Sequence, residues 1–337
     1  MSSPGETVRV GLVGTGAVSQ LVHLPILLER PDVEVVAVAD RDERKARAIA
    51  DRFGVDRVLD DAGLFSDGEV DAVLLCTPNH LHEDQAVAAL DAGLHVLVER
   101  PLALSADGCR RVLAAAEAAR RCVAVGMSHR FRPDVSALRA FVSGGELGTP
   151  YAARVAWMNR RVEVRRTTWR QQPDEAGGGA FMDLGVQALD LGCWLLGQPR
   201  IRRVSAVMTR EEYEVEDAAT VLMETERGVA LTVEVSWSYN ASEDRHFARV
   251  LGTEGSGSLP PLEVFKQLGG RPMDVTPRQP DPAGAGPYMN AYRRQVDHFL
   301  RAVRGLGDSA PPEDQVHLME VVEAAYRSAR ERCEVAL

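Results

Sequence analysis

The residue types able to do chemistry in this chain gather at the ends of short apolar runs. After VRVGLV comes GTGAVSQ, in which Gly14, Gly16 and Ser19 form a G-x-G-x-x-small turn. Gly14 permits the tight bend, Gly16 lets the backbone approach a pyrophosphate, and Ser19 takes the third position, where packing demands a small residue. Ala17 and Val18 open the helix whose free N–H groups face phosphates. The run VEVVAVAD ends in Asp40, placed to hydrogen-bond the ribose 2′-hydroxyl of NAD and to repel a 2′-phosphate; capping the next helix is the competing role. Arg41 beside it either lies against the adenine or accepts a 2′-phosphate, so NAD is preferred over NADP without excluding it. VDAVLLC leads into Thr77, Pro78 and Asn79, a rigid polar turn suited to the ribose or nicotinamide, and then to His80 and His82, near the site or facing solvent. HVLV ends in Glu99, Arg100 and Pro101, two opposite charges held by a proline.

Elements of two kinds must position these residues. Over the first 126 residues, apolar runs at 8–13, 33–39, 70–76, 95–98 and 122–126 alternate with helical patterns near 17–30, 42–53, 80–92 and 105–119, the last with Ser105 as N-cap. Such alternation predicts crossover connections and a doubly wound parallel sheet, hence a Rossmann domain over 1–127. From residue 128 to 337 the grammar changes. Helices are predicted near 133–142, opened by Pro133, and near 180–196, 287–304 and 313–332. Strands are predicted at 151–159, 201–210, 218–226, 229–239 and 246–253, with ERG at 226–228 as a hairpin turn. These elements predict an α+β domain with a mainly antiparallel sheet. The Gly- and Pro-rich stretch 267–287 reads as a loop.

Composition narrows the partners. With 39 basic against 49 acidic residues the net charge is −10, which opposes binding to nucleic acid or an anionic membrane and favours a small-molecule partner. No apolar run reaches bilayer length and no signal-peptide pattern opens the chain, so a cytoplasmic location is expected. Five scattered cysteines (Cys76, Cys109, Cys122, Cys193, Cys333) suggest neither a zinc site nor a disulfide framework, and no metal is expected. Of the 39 basic residues only Lys45 and Lys266 are lysines.

GTGAVSQ, Asp40, TPNHLH, VERPLA, WRQQPDEAGGG and MDLGVQALD, in this order, resemble the Gfo/Idh/MocA family of glucose–fructose oxidoreductases and inositol dehydrogenases. The resemblance implies that the sheet of the α+β domain is large and open. It also implies a nicotinamide cofactor, hydride transfer to or from a sugar, cyclitol or related polyol or keto compound, and a homo-oligomer, dimer or tetramer, formed through the open sheet. It implies that His82, Glu99 and Arg100 face the cofactor, with Glu99 on the ribose, that Trp169 and Arg170 reach the cofactor, and that Gly177, Gly178 and Gly179 let the backbone pass close to it.

Two positions depart from the family pattern. Its Glu-Lys-Pro is Glu99, Arg100, Pro101 here, and the helical pair Asp and His, four apart on one face, is Asp183 and Gln187. Arginine stays protonated and glutamine does not titrate, so the usual proton transfer is lost. Arg100 is left to anchor a substrate oxygen or to pair with a carboxylate. Gln187 is left to hydrogen-bond substrate or to lie on the helix surface. Asp183 remains the best titratable group, with His80, His82 and His129 as substitutes. The alternatives to a dehydrogenase are a nucleotide-binding sensor without turnover, or tightly bound NAD serving an elimination. The basic stretch RRVEVRR at 160–166 reads as a solvated strand edge.

Overall fold

The computed structural model describes residues 7–161, 168–278, 286–307 and 310–337. The chain through Ser128, joined by a later segment ending at Val316, forms one compact unit, and the chain from His129, joined by His317–Leu337, forms the other.

In the first unit the order is β1 (Val8–Val13), a π-helical turn Ser19–His23 running into α1 (Leu24–Leu28), β2 (Val33–Ala39), α2 (Glu43–Phe53), β3 (Arg57–Leu59), α3 (Asp61–Phe65), β4 (Ala72–Leu75), α4 (His82–Asp91), β5 (His95–Val98), α5 (Ala106–Ala119) and β6 (Val123–Val125). All strand pairs are parallel, in the spatial order β3-β2-β1-β4-β5-β6. That is the doubly wound dinucleotide-binding order, whose direction of winding reverses between β1 and β4. Gly14 and Thr77 follow the carboxyl ends of those two strands, where an open α/β sheet binds its ligand. β3 and α3 were not foreseen. Ser105 caps α5 by accepting the Gly108 N–H, as expected.

The expected second domain ran unbroken from 128 to 337; the structure instead returns the helix Pro287–Val303 to the first unit. Its amphipathic face supplies the apolar cover that the parallel sheet requires. Tyr292, Val296, Phe299, Leu300 and Val303 are buried in one cluster with Val8, Val10, Ile26, Leu74 and Leu97.

The second unit contains α6 (Pro133–Ser143), β7 (Pro150–Arg160), a 3₁₀ turn Trp169–Gln171, α7 (Pro173–Ala176), and a π-helical turn Phe181–Gly185 running into α8 (Val186–Leu195). Strands β8 (Ile201–Thr209), β9 (Ala218–Thr225), β10 (Ala230–Tyr239), β11 (Arg245–Gly252), β12 (Gly255–Leu259), β13 (Glu263–Leu268) and β14 (Arg271–Asp274) follow, and after the helix Asp314–Glu331 the short β15 (Val335–Ala336). They make one sheet in the order β14-β13-β12-β11-β7-β10-β9-β8-β15. Every pair is antiparallel except β10 with β7, so the expected mainly antiparallel sheet is present.

The loop expected over 267–287 is corrected in part. Leu268 ends β13 and Arg271 starts β14, joined by Gly269 and Gly270 at φ +56° and +78°. Two successive positive φ values are what a two-residue hairpin turn needs, and glycine supplies both without strain. At the ERG turn, Gly228 likewise has φ +75° between β9 and β10. Most of RRVEVRR lies outside the described residues.

Candidate active site

The nucleotide corner of the first unit is built from backbone. Gly14 has φ +89°, and a Cβ there would lie 2.7 Å from the Cys76 carbonyl oxygen, so glycine is required by both conformation and space. Ser19 is fully buried and its Oγ donates to the Gly14 carbonyl, clamping the turn from inside. Its expected role of small packing residue therefore extends to a hydrogen bond. Beside Gly16, by contrast, the position of a Cβ has nothing within 4 Å. A clamped turn leaving open space next to a glycine and a helix start fits a dinucleotide pyrophosphate. Ala17 is exposed and Val18 half-buried at that helix start.

Asp40 does not cap α2. That role belongs to Asp42, whose side chain accepts the Lys45 N–H. The Asp40 Oδ2 accepts the Thr15 N–H at 2.8 Å, the Thr15 hydroxyl at 2.7 Å and the Lys45 ammonium at 2.8 Å, while Oδ1 accepts the Asp42 N–H at 3.1 Å. Burial works against the Asp40 charge, but the bonds from Lys45, Thr15 and the backbone prevail and hold the carboxyl at about 2. Arg41 is exposed next to it.

The Thr77–Asn79 turn and the Glu99–Pro101 corner are tied together by His82. This ring is 1% exposed, with Nδ1 2.7 Å from the Pro101 carbonyl oxygen and Nε2 2.9 Å from the Thr77 carbonyl oxygen. Burial keeps His82 below the usual imidazole range despite those two carbonyls. Its expected places, facing the cofactor or facing solvent, are both corrected: the side chain is an internal brace. Thr77 Oγ1 donates to Gln85 Oε1 and Asn79 is buried. The Arg100–Pro101 peptide is cis, and Arg100 is half-buried.

Glu99 meets a residue that the sequence did not single out. His23 Nε2 lies 2.8 Å from Glu99 Oε1, and the buried His23 ring packs edge-on against Tyr292. Burial opposes the Glu99 charge, yet His23, with Arg100 alongside, holds the carboxyl below its ordinary range. A Cβ at Gly126 would lie 2.8 Å from Glu99 Oε2, so a glycine there makes room for this carboxylate.

In the second unit Asp183 sits in the π-helical turn ahead of α8, its side chain 17% exposed. Oδ2 accepts the Trp237 indole N–H from β10 at 3.2 Å, and Oδ1 lies 3.5 Å from Arg170 Nε. Arg170 in turn covers the Trp169 ring, 4.5 Å from its centroid. Trp169 and Arg170, expected at the cofactor, are thus brought to Asp183 within their own unit. Gln187 turns back along its helix, its Nε2 donating to the Asp183 carbonyl oxygen at 3.1 Å.

The three glycines have packing reasons of their own. Gly177 ends α7 at φ +77°, a Cβ on Gly178 would overlap the Tyr326 hydroxyl, and one on Gly179 would overlap the Glu216 backbone. Glu216, also unforeseen, is buried. Its Oε1 accepts the Gly179 N–H, the Phe181 N–H and the Tyr326 hydroxyl, fixing the start of the turn that carries Asp183.

His129 is no free acid or base. It is buried against Asp190, Nε2 to Oδ2 at 2.8 Å, and burial keeps it below the usual imidazole range although Asp190 pulls the other way. Arg130 bridges both oxygens of the same carboxylate, which stays far below its ordinary range despite burial. His80 is half-buried. Among the described residues no group of three His, Cys, Asp or Glu is arranged to hold a metal, and no helix is long and apolar enough to cross a membrane.

A doubly wound dinucleotide-binding unit with a clamped glycine turn, together with a unit whose open sheet backs a paired helical aspartate, defines a class of nicotinamide-dependent oxidoreductases. The chain belongs within it to the Gfo/Idh/MocA family: the model of the NAD-binding Rossmann oxidoreductase family matches residues 8–127, and that of the GFO/IDH/MocA C-terminal domain matches residues 135–258. It is 28% identical to D-glucoside 3-dehydrogenase of Escherichia coli K12, over 100% of this chain and 98% of that one. To D-xylose 1-dehydrogenase (NADP(+)) 2 of Haloferax volcanii it is 30% identical, over 97% and 99%. Among solved structures, GenD2 from gentamicin A biosynthesis in complex with NAD is 30% identical with TM-score 0.84, over 98% of this chain and 97% of that one.

Proposed function

We propose that this protein is an NAD(P)-dependent dehydrogenase of a sugar, cyclitol or related polyol or keto compound in which Asp183 takes the hydroxyl proton that a histidine takes in the usual family pattern. The nucleotide would be held by the Gly14–Val18 turn, Asp40, Arg41, the Thr77–Asn79 turn and Glu99, with His82 bracing the last two. When bound, the nicotinamide supplies the hydride acceptor. Arg100 presents a fixed fork of N–H donors to a substrate oxygen and keeps its proton throughout. Gln187 neither gives nor takes a proton and orients by hydrogen bonding.

One observation carries the proton assignment. Both Asp183 oxygens are aimed by side-chain donors, Trp237 and Arg170, while the amide at position 187 is turned onto backbone. A carboxylate so held can accept a hydroxyl proton at either oxygen and return it to water. Relatives named for glucoside and xylose oxidation support the substrate class.

The second reading, a nucleotide-binding member without turnover, draws on Arg100 and Gln187 themselves. Purified protein with NAD or NADP, a panel of sugars, glycosides and inositols, and the nicotinamide absorbance separate the two. Substrate-dependent reduction supports the dehydrogenase; firm NADH binding with no reduction by any member supports the other.

Two finer readings go with it. The chain works in the cytoplasm, in keeping with five cysteines that form no disulfide. It assembles as a dimer or tetramer through the outer face of the second sheet, where Val207 and Leu222 on the adjacent strands β8 and β9 are 71% and 52% exposed. Sedimentation of the wild type and of Leu222→Glu tests the assembly.

A further inference from the structure

One oxygen of Asp40, Oδ2, carries more hydrogen bonds than its expected role leaves room for. An ionised carboxylate offers about four acceptor positions. Among the described residues Asp40 already receives four donors: the Thr15 N–H, the Thr15 hydroxyl and the Lys45 ammonium on Oδ2, and the Asp42 N–H on Oδ1. Oδ2 is thus overfilled while Oδ1 has room, so a ribose diol that engages both oxygens of this carboxylate must displace one of the three donors on Oδ2. Thr15 is fully buried and the Asp42 amide belongs to the chain's own turn, so neither can leave without rebuilding the corner. The Lys45 side chain is 42% exposed and swings on a flexible stem.

We propose that Lys45 sets the choice between NAD and NADP in this protein, and that it sets it toward tolerance of both. The Lys45 ammonium competes with the ribose diol for Asp40 Oδ2, which weakens the advantage of NAD. It also neutralises the carboxylate that would repel a 2′-phosphate, and it offers that phosphate a charge-assisted partner, with exposed Arg41 beside it. The residue type fits the task. In a chain with two lysines among 39 basic residues, one of the two stands here, a compact point charge on a flexible stem. A relative named for NADP(+) and a similar structure that holds NAD show both cofactors in use among the proteins this chain resembles.

The inference rests on the dinucleotide reading of the first unit and not on the sugar chemistry, so binding tests it. Titrate NADH and NADPH into the full chain by nicotinamide fluorescence, for the wild type, Lys45→Met and Lys45→Arg, with melting curves to show that each variant is folded. The wild type is expected to bind both cofactors with Kd values within about tenfold of each other. Lys45→Met should weaken NADPH by about tenfold while leaving NADH unchanged or up to about threefold tighter, and Lys45→Arg should restore NADPH. A wild type that prefers NADH by about a hundredfold or more overturns the proposal, as does a Lys45→Met variant in which both cofactors change by the same factor. Failure to bind either cofactor overturns it together with the dehydrogenase reading, whereas strict NADH preference overturns it alone.

Discussion

The two helices to which the proposed site assigns its chemistry both begin with a π-helical turn, Ser19–His23 in one unit and Phe181–Gly185 in the other, but they are held in opposite ways. The first is fixed by backbone: a glycine with no room for a side chain, clamped by one buried hydroxyl. The second is fixed by side chains from distant segments: Glu216 at its start, and Trp237 and Arg170 on its carboxylate. A backbone-built corner leaves no room for a side chain at its pivotal glycine and keeps its shape only while Gly14 stays. A side-chain-built one can exchange a histidine for a glutamine and keep its shape, so its chemistry can change while the fold does not.

This contrast is broken most severely at Gly14. Gly14→Ala forces a side chain into the Cys76 carbonyl at positive φ, and should cost about 2 kcal/mol or more of stability together with measurable NADH binding; an alanine variant that melts and binds like the wild type would remove the claim of a backbone-built corner. Acid sharpens the same comparison. The Asp40 carboxyl has a folded pKa of about 2, below its unfolded value, so its contribution is complete above pH ~4 and is lost as pH falls through about 2, up to about 2 kcal/mol. Urea unfolding between those pH values should show the loss in the wild type and a flatter slope in Asp40→Asn. The smallest effect falls on the side-chain-built helix. Trp237→Phe removes one donor from Asp183 and should lower kcat several-fold with NADH affinity and melting temperature nearly unchanged; a loss of stability larger than the loss of turnover would make Trp237 a packing residue only.

The same contrast explains what the sequence made legible. Gly14, Gly16 and Asp40 were readable because local backbone needs glycine and a strand end at fixed spacing. His23 was not, because its partner Glu99 lies 76 residues away and a lone histidine in an apolar helix carries no spacing signal. Trp237 and Glu216 stayed hidden for the same reason, 54 and 37 residues from the groups they hold. Of the strands, β3 has three residues, and β12 reads GSGSL, with too few apolar residues to show alternation. The return of the helix Pro287–Val303 to the first unit left no mark, since an amphipathic helix does not name the sheet it covers.

The central claim, that Asp183 replaces the missing histidine as the proton acceptor of a dehydrogenase, meets its most direct test in Asp183→Asn assayed with whichever polyol the wild type oxidises. The substitution keeps the shape and removes the base. The account predicts a fall in kcat of about 10² to 10⁴ with the Kd for NADH unchanged. Turnover retained within a few-fold by Asp183→Asn would contradict it.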